Sequence, residues 1–366
     1  MGTGALAIAP VWRGCDVFLT GHTGFKGGWL TLWLHALGAR VHGYALEPPT
    51  TPSLFEAAGL QRLLASECRA DLADRAALAA ALAQAAPRVV FHLAAQPLVR
   101  ASYADPLGTL ASNVMGTAHL LEAVRGVDSV EAVVVVTTDK VYLNREWVHP
   151  YRESDALGGH DPYSASKAAA EMVAASYRAS FFATPAARAR IATARAGNVI
   201  GGGDWAADRL VPDGLQAFAA GQPLRLRYPE AVRPWQHVLE PLAGYLLLAQ
   251  ELLAPGRRDA AARAWNFGPG EGGDATVGMV AQRLAQAWGA DARVEITAVA
   301  GQLHEAGLLR LDAAQARSAL GWRPRWDLDQ AIEATVAWHR AWQQGADLQA
   351  LGRAQIAAYT GAGGLP

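Results

Sequence analysis

The sequence predicts an α/β protein, a doubly wound parallel sheet joined to a smaller mixed α/β lobe. Three observations carry this. Through the first half, short and continuously apolar runs alternate with alanine-rich helical stretches, the pattern of strands covered on both faces. A glycine-rich turn directly follows the first apolar run. Beyond Gly197, the triplet Gly201-Gly202-Gly203 and the prolines 212, 223, 229 and 234 break the chain into shorter elements.

Taken in order, Asp16 to Thr20 reads as the first strand, stopped by Gly21. A helix opens near Phe25 with Trp29, Trp33 and Leu37 at four-residue spacing on one face. Gly38 ends it, and Arg40 to Leu46 is a second strand. A short third strand is expected to end at Asp71-Leu72. Arg88–Ala94 and Glu131–Thr137 are further buried strands, separated by helices over Ala76–Ala85 and Gly108–Val124. In the second half, helices are expected over Glu240–Leu253, about Ala275–Trp288, near Asp312–Leu320 and over Asp327–Trp342, with a strand at Ala264–Gly268. Trp29 and Trp33 read as core residues of the first helix, whereas Trp205 and Trp235 are candidates for lining a cleft.

Composition narrows the function. The 366 residues are 51% hydrophobic and 18% charged, which excludes a disordered chain. A formal charge of -1 argues against nucleic acid or an acidic membrane as partner. Cys15 and Cys68 offer neither a disulfide framework nor a thiolate metal site, and the ten histidines show no ligand spacing, so no metal is expected. Met1–Pro10 lacks the basic start of a signal peptide, and no apolar stretch reaches the ~20 residues of a membrane span. A cytoplasmic protein is the expectation.

Gly21-His22-Thr23-Gly24-Phe25-Lys26-Gly27 has the spacing GxxGxxG between strand and helix. Side chains at the glycines would keep a pyrophosphate from the helix N-terminal amides, so the turn reads as a Rossmann-like dinucleotide site. After the second strand, Glu47 supplies an acid and no arginine accompanies it in Leu46-Glu47-Pro48-Pro49, which favours NAD over NADP. Asp71 is either an adenine contact or a loop acid.

In Asp161-Pro162-Tyr163-Ser164-Ala165-Ser166-Lys167, tyrosine and lysine lie one helical turn apart. An ammonium beside a phenol lowers its pKa from ~10 toward neutrality and makes it a usable base. Alone, this spacing more often marks an exposed helix face; behind a dinucleotide turn it reads as catalytic. Thr138-Asp139-Lys140 follows a buried strand, at the end where open sheets bind ligands, and offers a further acid and base.

GxxGxxG and YxxxK together resemble the extended short-chain dehydrogenase/reductase family. GHTGFKGGWLTLWL (21–34), AAQPLVRASY (94–103), TTDKVY (137–142), NREWVHPYRE (144–153), AGNVIGGGDWAADRLVPD (196–213) and RPWQHVLEPLAGY (233–245) narrow the likeness. Over about Trp12 to Tyr359 they resemble its nucleotide-sugar 4,6-dehydratases, in particular the branch that uses CDP-glucose. The resemblance implies an NAD-binding domain over residues 12–198 with returning segments near 235–268. A nucleotide-sugar lobe would occupy 199–234 and 269–360. It implies dehydration of CDP-glucose to CDP-4-keto-6-deoxyglucose for deoxysugar and polysaccharide (lipopolysaccharide O-antigen) biosynthesis.

By the same resemblance Tyr163 and Lys167 serve C4 oxidation, and Thr138 bonds the C4 oxygen. Asp139 protonates the departing C6 hydroxyl, and Lys140, where related enzymes carry glutamate, takes the C5 proton. NAD would contact Gly21, Thr23, Gly24, Phe25, Lys26, Gly27, Asp71, Leu72, Leu93, Ala94, Ala95, Tyr163 and Lys167. The substrate would contact Gln96, Asn198, Arg209, Leu210, Arg233, Trp235 and His304, the arginines through paired donors to phosphate. Ala306-Gly307-Leu308 departs from the larger polar residue expected near Gly307. A homodimer, or a dimer of dimers, would form through the Tyr163 helix with Met172, Val173 and Phe181 at the interface. The rival readings are the same reaction on another nucleotide sugar, a 4-epimerase that would not need Asp139 and Lys140, and a non-enzymatic dinucleotide-binding regulator.

Overall fold

The computed structural model describes residues 8, 10–184, 186–270, 273–289, 291–297 and 306–361. β1 (Asp16–Thr20), β2 (Arg40–Ala45), β3 (Leu64–Arg69), β4 (Val89–His92), β5 (Ala132–Val136) and β6 (Arg190–Ala196) follow one another with helices between. Four short strands come next: β7 (Val199–Ile200), β8 (Leu224–Leu226), β9 (Val232–Pro234) and β10 (Gln236–His237). β11 (Ala264–Phe267) returns to the main sheet, and β12 (Asp274–Thr276) and β13 (Val294–Ile296) lie beyond it. The central sheet has seven strands in the order β3-β2-β1-β4-β5-β6-β11, every pair parallel. Strand order reverses between β1 and β4, and the crevice for a ligand opens outside their carboxyl ends.

Side chains alternate across the sheet, as period-two geometry requires. Val17, Leu19, Val89, Phe91 and Val134 join one cluster with Trp29 and Trp33 of the Phe25–Ala36 helix and the apolar face of Leu239–Leu253. Phe18, Val90, Val133 and Val135 join the other with Leu78, Leu82, Leu120 and Leu121 from the opposite helices. A third cluster, around Val211, Leu215, Val280, Leu284, Ile332 and Val336, stands apart from both. It is built by the helices Leu210–Ala219, Val277–Trp288 and Leu328–Gln343 with the small strands.

Several expectations need correction. The third strand stops at Arg69, so Asp71 and Leu72 lie beyond it. Ala275 and Thr276 belong to β12, and the helix begins at Val277 because the Thr276 side chain caps the Met279 amide. The helix expected near 312–320 begins two residues later, at Ala314, and runs to Leu320, its last turn over Ala316–Leu320 being a π turn. The Leu348–Thr360 helix went unpredicted, and it is held by packing against the first helix. Gly352 lies against Leu32, and Tyr359 meets Trp33 edge-on at 5.8 Å.

Trp29 and Trp33 are buried core residues, as expected, and Trp205 and Trp235 are buried as well. Trp205 is wedged against Trp338 and Trp342 at 5.7 and 5.0 Å. Trp235 sits in the third cluster, with its indole N–H donated to the Ala275 carbonyl at 3.1 Å. Among the described residues no helix is long and apolar enough to cross a membrane.

Candidate active site

The turn after β1 is shaped by three glycines for different reasons. Gly21 has φ +78, and a Cβ there would lie 2.6 Å from the Ala94 amide nitrogen after β4. At Gly27 a Cβ would lie 2.0 Å from the Gly21 carbonyl oxygen. Gly21 thus lets the turn approach the chain after β4, and Gly27 lets it close onto its own backbone. Gly24 differs: its Cβ position is open to 3.5 Å, and no side chain caps the helix it begins. This leaves an unfilled cradle over a helix N-terminus, which suits a dinucleotide pyrophosphate. Thr23 is tied by its hydroxyl to the Leu46 carbonyl at 3.0 Å, and Phe25 and Lys26 form the first helical turn.

Across the crevice, Leu93, Ala94 and Ala95 continue from β4; the Ala94 amide donates to Thr20 Oγ1 at 3.2 Å. Leu72 is buried against Gly116 in the second cluster. Asp71 accepts from the Ala73 amide at 2.8 Å, the bond of a loop acid. One premise about the cofactor is corrected. An arginine does attend Glu47: Arg69, at the end of the neighbouring strand, reaches it at 3.0 Å and is also paired with Glu67 at 2.7 Å. Adjacent strand ends meet in space although the sequence separates them.

The carboxyl end of β5 carries Thr138, Asp139 and Lys140, the last two in a single helical turn. Thr138 donates to Asp139 at 2.9 Å. Asp139 is buried, and burial raises its pKa against the opposing influence of Lys140, Thr138, Arg233 and Lys26. The other Asp139 oxygen lies beneath Gly197, where a Cβ would come within 2.7 Å of it. Lys140 is half-buried beside them.

Asp161 and Pro162 start the helix Pro162–Tyr177, the aspartate capping the Ser164 amide at 2.9 Å. Tyr163 and Lys167 are both buried on its inward face. Tyr163 is fixed through its backbone: its amide donates to Ser102 Oγ at 3.1 Å, and its carbonyl accepts from Ser166 at 2.7 Å. Asn113, in a π turn over Ala111–Met115, donates to Ser166 at 2.8 Å. Sequence reasoning missed Ser102 and Asn113, for nothing in their spacing points to the tyrosine.

The Lys167 ammonium donates to the Val136 carbonyl at 3.2 Å, and burial draws its pKa down to about 8. Burial pushes the Tyr163 phenol up to about 12, with the Thr138 hydroxyl opposing it.

The candidate substrate residues fare unevenly. Arg209 pairs with Asp204 at 2.8 Å, and Arg233 is buried and faces Asp139 electrostatically. Asn198 follows Gly197 at the end of β6 and is half-buried. Gln96 donates to Thr109 of the helix Pro106–Leu110 at 2.8 Å and accepts from the Leu98 amide at 2.5 Å. Leu210 packs against the third cluster, as does Trp235. His304 lies outside the described residues.

Comparison with known proteins now bears on this geometry. A family model described as GDP-mannose 4,6 dehydratase matches residues 18–335. The CDP-glucose 4,6-dehydratase of Salmonella typhimurium is 48% identical over 96% of this chain and 98% of its own. The chain belongs to the nucleotide-sugar 4,6-dehydratase family. The dTDP-glucose 4,6-dehydratase of Streptomyces griseus is 29% identical over 69% of this chain and 73% of its own. Among solved structures, MoeE5 in complex with UDP-glucuronic acid and NAD is 26% identical, with TM-score 0.72 over 89% of this chain and 99% of that one. A UDP-glucose 4-epimerase from Stenotrophomonas maltophila, at 24% identity and TM-score 0.77, shares the fold over 91% of this chain and 100% of its own.

Proposed function

We propose that this chain is an NAD-dependent CDP-glucose 4,6-dehydratase. The observation that carries the reading is the convergence of two pairs: Asp139-Lys140 at the end of β5, and Tyr163-Lys167 on the adjoining helix. An epimerase would use the second pair without the first. CDP-glucose is favoured over other nucleotide sugars because the relative with 48% identity bears that name. NAD is favoured over NADP because Arg69 already has Glu47 and Glu67 as partners. Bound NAD supplies the acceptor for the C4 hydride and later the donor of that hydride to C6. Its diphosphate would rest over Gly24, and Lys167 would hold the nicotinamide ribose.

Tyr163 takes the C4 hydroxyl proton as that carbon is oxidised to a ketone. The ketone acidifies the C5 hydrogen, which Lys140 removes as a proton. Asp139, kept protonated more readily by burial, gives its proton to the departing C6 hydroxyl, and water leaves. Hydride returns to C6 and a proton to C5, so the product is a 4-keto-6-deoxy sugar and no cofactor is consumed. Arg209 and Arg233 would hold the diphosphate. The reading includes a cytoplasmic homodimer through the Tyr163 helix, where Met172 and Phe181 are exposed.

The test is a panel of CDP-, dTDP-, UDP- and GDP-hexoses, with product followed by alkaline absorbance and mass. CDP-glucose alone should lose one water. Water loss only from a different nucleotide sugar would overturn the nucleotide assignment; inversion at C4 without water loss would make the chain an epimerase.

A further inference from the structure

One buried acid near the site has no place in that scheme. Glu171 lies one helical turn beyond Lys167 and two beyond Tyr163, on the same inward face, and is 3% exposed. Its Oε1 accepts from Thr137 at 2.5 Å; its Oε2 accepts from Thr193 at 2.7 Å and from Arg195 at 2.8 Å. Thr137 immediately precedes Thr138-Asp139-Lys140, and Arg195 stands two residues before Gly197. Arg195 in turn donates to the Tyr142 hydroxyl at 2.9 Å, and that hydroxyl donates to Asn266 of β11 at 2.7 Å. One carboxylate therefore joins the helix of the oxidation pair to the strand ends carrying the elimination pair.

We propose that Glu171 is a positioning residue of the dehydration. It ties the ends of β5 and β6 to the Tyr163–Lys167 helix and supplies the negative charge that faces Lys167. The inference rests on Tyr163 and Lys167 being the oxidation pair. A buried ion pair by itself adds little stability over an apolar replacement, so its place between the two halves of the site points to a role in the reaction.

The charged surroundings favour this. Burial acts against the Lys167 ammonium, and Glu171 is the acid that opposes it. From other elements, Lys26 adds positive charge, while His92 on β4 is held neutral by burial and by Lys167 itself. Glu171 faces Arg195 on β6 and Arg178 past the helix end. Burial works against the Glu171 charge as well, but Arg195, Thr137 and Thr193 outweigh it and keep the carboxylate ionised.

The test is the pH profile of kcat for the intact enzyme with its preferred nucleotide sugar, comparing the parent with E171Q, E171D and E171Q/R195M. The double variant is included because E171Q leaves Arg195 without its carboxylate. In E171Q and the double variant, Lys167 should lose its proton at lower pH, moving the alkaline limb down by about 0.5–1 pH unit. E171D keeps the charge and should return the limb close to the parent, although it packs worse than E171Q. A limb unmoved in E171Q and in the double variant overturns the inference, as does E171D shifting it as far as E171Q. A parent that turns over no sugar of the panel overturns the functional reading itself, so the two failures are distinct.

Discussion

At Lys140 the proposed chemistry makes its sharpest demand on one side chain. An ammonium cannot take the C5 proton, so this residue must be neutral when it acts, unlike a glutamate in its place. It neighbours Asp139, whose burial favours the protonated acid, so the proposed elimination uses Asp139 as the acid and Lys140 as the base. Lys140→Ala should leave C4 oxidation intact and slow elimination by roughly 10²–10⁴. Stopped-flow absorbance after mixing with CDP-glucose should show NADH that persists while 4-keto-6-deoxy product fails to form. Normal product formation would remove Lys140 from the mechanism. The candidate pairs were legible in the sequence because they follow a dinucleotide turn and a buried strand and lie within motifs that resemble the family. Glu171 was less so: its four-residue step from Lys167 was visible, but its partners Thr137, Thr193 and Arg195 come together only through the sheet.

Among the elements, the ends of β5 and β6 set the geometry of the site. Gly197 follows β6 and lets Pro234 and Asp139 close upon it; an added Cβ would sit 2.6 Å from Pro234 Cγ and 2.7 Å from Asp139 Oδ2. Gly197→Ala should therefore displace Asp139, lowering turnover roughly 10–100-fold and destabilising by about 1–3 kcal/mol. Product assays and thermal melts check this, and parental turnover would mean the strand end yields without moving the acid. The Phe25–Ala36 helix was legible almost to the residue, because a glycine turn opens it and Gly38 closes it. The Leu348–Thr360 helix was not, for what fixes it is a groove offered by Leu32 and Trp33.

Over the whole molecule, buried titratable groups pull stability in opposite directions with pH. Burial takes His92 and His237 down to about 3, so each favours unfolding as pH falls below ~6.5. Glu240 acts the other way. It is buried against Tyr359 at 2.6 Å and the Arg325 and Trp326 amides, and burial raises it to about 7. The folded protein binds this proton more tightly than the unfolded chain, so its contribution is greatest below about 4.5 and is lost as pH rises through 7. Glu240→Gln removes the penalty for charging. Its Tm should exceed the parent's by roughly 2–5 °C at pH 8, with no gain at pH 5. Equal differences at both pH values would show that folding does not raise the Glu240 pKa.

The sequence by itself determined the alternation of buried strands and helices, the glycine turn, the Tyr163–Lys167 step and the Thr138-Asp139-Lys140 cluster. Each is written in residues close along the chain, where a spacing of two, three or four maps onto one face or one turn. Tertiary structure decided that Trp205 and Trp235 are core, that Arg69 attends Glu47, that Gln96 meets Thr109, and that Glu171 joins two halves of the site. Those outcomes depend on which strand lies beside which. Parallel β-sheets bring together side chains from distant segments, and no local pattern records that pairing.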